Sequence, residues 1–467
     1  MFLTFSIVTV FLLGYSCIAL ENGLKVNKAA IGLLMCVVCW TLYMFGAPEY
    51  VAQFHSEDFA KFLEVFHMED TDEAARHYIG QGVLLEHLGD ACEILFFLMG
   101  AMTIVEVVDT NGGFNIVRSK LATSHKRRLL WRIVAITFFL SAVLDNLTTS
   151  IVMIMVLRKL VDDRNDRLIY ASMIVLSANA GGAFSPIGDV TTIMLWIKGN
   201  ITSIGVVKEV LLPSMVSILV PTFILQYRLK GMLPKEPDKK DLRTMILTKA
   251  ERVAVFVVGV GGLMFVPFFR TFTGLPPFMG ILLVLGVLWT MTEIFLRHEK
   301  EAEGTLQERV SKVLHKIDMS TILFFLGILM AVATLTEIGV LKQFGQWLEE
   351  ATDGNAYFVT GVIGAVSSIV DNVPLVAGCI GMYDIAPAVT TDPQLMMFVQ
   401  DGQFWQLLAY CAGVGGSLLI VGSAAGVVIM GLEKITFGWY MRNITIVGFL
   451  GYLAGMGVYW LEKMFLF

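Results

Sequence analysis

Apolar runs close to the length of a membrane span recur from one end of the chain to the other, separated by short polar segments. A helix needs about 20 residues to cross a hydrocarbon core about 30 Å thick, so each run predicts a spanning helix. The runs leave no room for a separate soluble domain. The first, Met1 to Leu20, lacks a basic leader and a small-residue cleavage site, so it is expected to be a retained helix rather than a secretory signal.

Two stretches in the first half depart from a simple span. Lysine and arginine mark the cytoplasmic ends of spans, and the run from about Leu130 to Leu157 is basic at both ends, with Arg127, Arg128 and Arg132 before or at its start and Arg158, Lys159, Arg164 and Arg167 after it. It is therefore expected to dip into the membrane and return, with Ser141-Ala-Val-Leu-Asp145-Asn146-Leu-Thr148-Thr149 at its tip. The run from Leu168 to Lys198 would extend about 46 Å as one straight helix, too long for the bilayer unless steeply tilted. Its middle, Asn179-Ala-Gly181-Gly182-Ala-Phe-Ser185-Pro186-Ile-Gly188-Asp189, is a cluster of helix breakers and predicts a broken helix. Irregular backbone at membrane depth is tolerated only inside protein or beside water, which is where ion sites lie.

The second half repeats the first. His87-x-x-Asp90-x-x-x-Ile94-Leu-Phe-Phe-Leu98 returns as His315-x-x-Asp318-x-x-x-Ile322-Leu-Phe-Phe-Leu326, Ser141-x-x-x-Asp145-Asn146 as Ser367-x-x-x-Asp371-Asn372, and Gly181-Gly182 with Gly188 as Gly415-Gly416 with Gly422. The loop charges are mirrored. The segment Glu49 to Asp90 holds ten acids against Lys61 and Arg76, whereas Arg297, Lys300, Arg309, Lys312 and Lys316 crowd the corresponding loop of the second half. The expected architecture is an all-α integral membrane protein of two inverted-topology repeats, each with five spanning helices, one of them broken, and one re-entrant hairpin. The first repeat would cover residues 1–230, with its hairpin at about 130–157 and its broken helix at about 168–198. A cytoplasmic linker would follow at 231–252, and the second repeat at 253–467, with hairpin and broken helix at about 355–383 and 404–433. Asp72 and Asp392 are expected outside, and Arg127, Lys239 and Lys312 in the cytoplasm.

Composition agrees: 56% of the 467 residues are hydrophobic and 16% charged, against about a quarter charged in soluble domains. The net charge is −6, and no nucleic-acid partner is expected. Six cysteines are scattered, and Cys36-Val-Val-Cys39 has no second pair or histidine to complete a zinc site, so they are expected to be buried thiols.

Three carboxylates stand at the breaks: Asp145, Asp189 and Asp371. Acids at membrane depth are costly and mark ion or proton paths. Neutral oxygen donors surround them in sequence, namely Ser141, Asn146, Thr148, Thr149, Asn179, Thr191, Thr192, Ser367, Asn372, Ser417 and Ser423, a set suited to a small hard cation. An isolated Asp-Asn pair is more often a helix cap; its recurrence at mirrored tips favours an ion site. For Asp189 a cap on the second half of the broken helix competes with an ion role. Glu93, one helical face from His87 and Asp90 near a membrane boundary, is as readily an interfacial ion pair as a functional group, and Glu106 and Asp109 are expected to cap or flank their span. Gly451-x-x-x-Gly455 reads as helix packing.

These motifs closely resemble the NhaD-type sodium/proton antiporters of the ion transporter superfamily, over essentially the whole chain. The resemblance implies exchange of Na+, and of Li+, for H+ by alternating access, with hairpins and broken helices forming a moving transport domain on a dimeric scaffold in the cell's inner (cytoplasmic) membrane. It implies no cofactor and no enzymatic activity. It places Asp145, Asn146, Asp189, Thr191, Thr192, Asp371 and Asn372 on motif positions tied to ion and proton handling, with Ser141, Asn179 and Ser367 beside them and His87 and Glu93 as accessory positions. Na+ is expected at Asp145, Asn146, Asp371 and Asn372. Dicarboxylate carriers of the superfamily show a Ser-Asn-Thr tip, where this chain has an aspartate that would repel an anion. A third reading, an intramembrane aspartyl protease, rests on Tyr383-Asp384 and Gly188-Asp189 but lacks the full Gly-x-Gly-Asp signature.

Overall fold

The computed structural model describes residues 2–19, 24–114, 120–121, 123–233, 247–295, 313, 316–369, 371–392 and 394–465. Most of the expected linker, together with Arg297, Lys300, Arg309, Lys312, His315 and Lys239, lies outside the described residues. Among those described, the regular elements are helices: α1 (Phe2–Ala19), α2 (Lys28–Phe45), α3 (Ala47–Phe54), α4 (Ser56–Phe66), α5 (Asp72–Tyr78), α6 (Leu84–Thr110), α7 (Lys126–Leu144), α8 (Asn146–Leu160), α9 (Arg164–Ala183), α10 (Val190–Ile197), α11 (Ser203–Leu225), α12 (Lys249–Thr273) and α13 (Pro277–Phe295). The order continues with α14 (Met319–Glu337), α15 (Val340–Ala351), α16 (Ala356–Ser367), α17 (Asn372–Met382), α18 (Gln403–Gly415), α19 (Ala424–Glu433), α20 (Phe437–Tyr440) and α21 (Ile446–Phe465). One π-turn, Ile79–Val83, joins α5 to α6, and another, Met441–Thr445, joins α20 to α21. Seven of the described helical segments are long and apolar enough to cross a membrane.

The chain divides into two compact units. The first comprises Met1–Phe96, Asp318–Asn355 and Val373–Asp384. Here α2 packs along α14 and against α1. A Cβ on Gly327 would run into the backbone of Gly32, so the two helices meet backbone to backbone, and the Trp40 indole N–H closes the seam on the carbonyl of Met330 at 2.8 Å.

The second unit comprises Phe97–Ile317, Ala356–Asn372 and Ile385–Phe467 and holds both broken segments. The breakers at 184–189 separate α9 from α10, and Gly416 to Ser423 separate α18 from α19. One packing rule serves both. A Cβ on Gly181 would overlap the carbonyl of Phe138 on α7, and a Cβ on Gly415 would overlap the carbonyl of Gly364 on α16. Each contact is sealed by a buried serine: Ser141 Oγ donates to the Ala178 carbonyl at 2.6 Å, and Ser367 Oγ to the Ala412 carbonyl at 3.0 Å. The broken helices then pack on one another, α9 and α10 against α18, while α11 and α21 form a long pair beside them.

Candidate functional site

Asp145 lies between α7 and α8 at φ 78°, ψ 158°, a backbone region kept almost entirely by glycine. Holding a non-glycine residue there costs about 1–3 kcal/mol. Its carboxylate is spent on the helix it begins, Oδ1 accepting from the Thr148 amide at 2.8 Å and Oδ2 from the Thr148 hydroxyl at 2.7 Å. The cap reading therefore describes the Asp145 contacts shown. It anchors the tip so that the next residue, Asn146, points inward.

Asp189 is the reverse case. It occupies the N-cap position of α10 but makes no side-chain cap, and it is only 2% exposed. Its carboxylate collects donors from three segments. Asn146 Nδ2 reaches Oδ1 at 2.9 Å, Asn372 Nδ2 reaches Oδ2 at 3.2 Å, and the Thr191 hydroxyl donates to Oδ2. Asn146 Nδ2 also donates to Asn179 Oδ1 at 3.1 Å, while Asn179 Nδ2 is buried with no hydrogen-bond partner. Asp145 and Asp371 are both close enough to act electrostatically on Asp189. Gly413 lets α18 approach α9 beside that carboxylate: a Cβ there would run into Ala183, while standing at ordinary contact distance, 3.6 Å, from Asp189 Oδ2.

The remaining expected residues divide by what they touch. Ser141 and Ser367 fasten the paired helices as described, and Ser417, in the break after α18, donates to the Val414 carbonyl at the end of that helix at 2.7 Å. Ser423 occupies the position in the second half that Asp189 holds in the first, and caps α19 by accepting from Gly426 at 3.2 Å. Thr192 Oγ1 reaches the Ala183 carbonyl at 3.5 Å. His87 and Glu93 belong to the first unit. There His87 Nε2 meets Glu337 Oε1 and His55 Nε2 meets Glu337 Oε2, each at 2.7 Å. Glu337 and His55 carried no motif in the sequence; the one signal was an acid closing an otherwise apolar span. Ser185 was also missed as a contact residue: its hydroxyl donates to the Ala142 carbonyl and pins the break to the α7–α8 tip.

Carboxylate, amide and hydroxyl groups thus gather, buried, at interrupted helices of a multi-pass all-helical membrane protein, where polar groups at membrane depth mark transporters. The chain belongs to the citrate transporter family, whose model matches residues 15–400. It is 42% identical to sodium/proton antiporter 1 of Arabidopsis thaliana over 448 residues, 96% of this chain and 70% of that protein. With sodium/proton antiporter 2 of the same plant it shares 39% identity, covering 96% of this chain and 97% of the relative. The Na(+)/H(+) antiporter NhaD of Halomonas elongata is 28% identical, over 97% of this chain and 88% of its own.

Proposed function

We propose that the protein exchanges Na+, and also Li+, for H+ by alternating access, with Asp189 as the shared binding group. The observation that carries this reading is the convergence of Asn146 and Asn372, from two different interrupted segments, on one buried carboxylate. Three neighbouring acids in a low-dielectric setting cannot all stay ionised without a compensating positive charge. Protons supply it in one form of the site and a sodium ion in the other. Sodium would be held by Asp189 with oxygens from Asn146, Asn372, Asn179 and Thr191, and Asp145 and Asp371 would add charge from the flanks. The amides, which turn their nitrogens to Asp189, would rotate their carbonyl oxygens to the metal. Exchange is obligatory if the fully ionised, empty site cannot cross.

The repeated packing of α7 on α9 and α16 on α18 supports two repeats of one fold, and the opposed loop charges support their inverted topology. Sidedness has support from contacts between distant loops. The Asp401 amide donates to the Asn200 carbonyl at 2.9 Å, joining two segments expected outside, and Arg158 and Arg167 each hold one oxygen of Glu433 at 2.6 Å at the expected cytoplasmic ends. An elevator movement of the hairpins and broken helices on a homodimeric scaffold, in the cell's inner (cytoplasmic) membrane, is proposed by analogy with the family.

The family description raises citrate as a second substrate. Against it, the described partners of Asp189 are amides and hydroxyls, with further acids nearby and no lysine or arginine among them, a setting that repels a carboxylate substrate. Protease chemistry has no counterpart in the relatives, which are named antiporters. Asp384 lies in the other unit, exposed and paired with Lys342 at 2.7 Å. Proton movement in proteoliposomes after pulses of Na+, Li+, K+ or citrate tests the assignment. Sodium and lithium should drive proton flux and citrate should not; citrate-driven uptake without a sodium response would reverse the choice.

A further inference from the structure

Outside the aspartate site, the second unit buries another pair of acids. Glu209 on α11 is 9% exposed and Glu462 on α21 is 6% exposed. The two helices are drawn together by the glycine steps of α21: a Cβ on Gly451 would overlap the Ser217 carbonyl, and one on Gly455 would overlap the Tyr410 hydroxyl and stand 2.6 Å from the Pro213 carbonyl. That close approach brings the carboxylates to the same end of the pair, where α11 begins and α21 finishes. Glu209 Oε2 is well satisfied, accepting from the Tyr459 hydroxyl at 3.0 Å and from Lys463 Nζ at 2.8 Å. Glu462 Oε2 is buried with no hydrogen-bond partner. Facing the pair are Tyr459 and Lys463 on α21, and beyond Tyr459 lies Tyr357 on α16, with its ring 6.3 Å from that of Tyr459; Lys208, next to Glu209 on α11, is exposed.

One ammonium, bound to Glu209, is shared electrostatically by two neighbouring buried carboxylates. An ionised carboxylate without a hydrogen bond or counter-charge is among the costliest groups a membrane protein can bury. A metal ion is a poor remedy here, because the Lys463 ammonium already occupies the face of Glu209 that a metal would share and would repel it. We propose that Glu462, paired with Glu209, is a second proton-binding site, at the end of the α11–α21 pair and separate from the aspartate cluster. On the topology proposed above it lies toward the outer surface. Its proton depends on Glu209: with that acid neutral, Lys463 could turn to Glu462 and balance its charge instead.

The test uses the full chain in lipid nanodiscs without sodium, read by infrared difference spectra across a pH titration for the C=O band of a protonated carboxyl. Asp189→Asn should keep the band assigned to Glu462, Glu462→Gln should lose it, and Glu209→Gln should lose it as well. Glu462→Asp, which keeps the acid and shifts the band, covers the case in which the amide variant does not fold. A spectrum unchanged by either change at position 462 would show that Glu462 is always ionised and overturn the proposal. So would a band that survives in Glu209→Gln, and so would its loss on adding sodium to Asp189→Asn protein, which would make the site one for a metal cation.

Discussion

At the scale of single residues, the two aspartates that begin helices at the breaks have different work. Asp145 is tied to Thr148, whereas Asp189 gathers donors from elsewhere in the chain. Asp145→Gly separates the contributions of position 145: relief of about 1–3 kcal/mol of backbone strain offsets the loss of a cap worth about 0.5–2 kcal/mol. The variant should therefore keep its thermal stability within about 1 kcal/mol while losing sodium-driven proton flux, and retained flux would show that the Asp145 carboxylate is only a cap. Asp371→Asn should also abolish exchange with the protein still folded in the membrane. Asn372→Ala removes one of the amide oxygens proposed to turn onto sodium, so sodium affinity measured by isotope binding should fall by about tenfold or more, about 1.4 kcal/mol. Glu106→Gln is the contrasting case. Its partner Lys316, at 2.5 Å, is 54% exposed, and an exposed pair contributes below about 1 kcal/mol, so flux should stay near wild type.

At the scale of elements, the breaks depend on glycines that let helices touch. Gly181→Ala and Gly415→Ala each place a methyl against a neighbouring carbonyl, and because backbone cannot move aside as a side chain can, both should lower the yield of monodisperse protein. Normal yields and melting temperatures for both would contradict the packing described. Glu433, with a side chain 1% exposed, is gripped by Arg158 and Arg167, which are 43% and 24% exposed. Glu433→Gln should cost about 3 kcal/mol, the low end for breaking a buried pair, since both arginines can turn to water. Much of this level was legible in the sequence. Apolar run length gave the all-helical character, and Gly181, Gly182, Pro186 and Gly188 coincide with the end of α9 and the gap before α10. Contact partners were not legible, because local pattern carries no information about which distant segment closes on which. Asn372 finds Asp189 across 183 residues and His87 finds Glu337 across 250. Charge periodicity placed His87 beside Glu93 and Asp90 on one helix face, while the described contact of its ring goes to another helix. The cap on Asp145 could not be told from an ion site by motif alone, since both need the same short acidic side chain at a helix start.

At the scale of the whole molecule, the proposed sidedness is open to labelling of Arg127→Cys and Asp392→Cys in a background cleared of native reactive thiols. The two should be reached from opposite sides of the membrane; access from one side only would dismiss the inverted arrangement. Crosslinks that fix either interrupted hairpin to a neighbouring spanning helix should stop flux if the hairpins travel, and full activity in the locked protein would reject that movement. The central claim, that sodium and protons compete for one buried cluster centred on Asp189, has a direct thermodynamic signature. Binding linkage is reciprocal, so each proton displaced by sodium steepens the dependence of sodium affinity on pH by up to about tenfold per pH unit. The measurement is sodium binding to purified protein by calorimetry at a series of pH values, in buffers of different ionisation enthalpy so that proton release is counted at the same time. Affinity should weaken as pH falls, protons should be released on binding, and Asp189→Asn should show neither binding nor release; affinity that is flat with pH, or unchanged binding by Asp189→Asn, would contradict the competition.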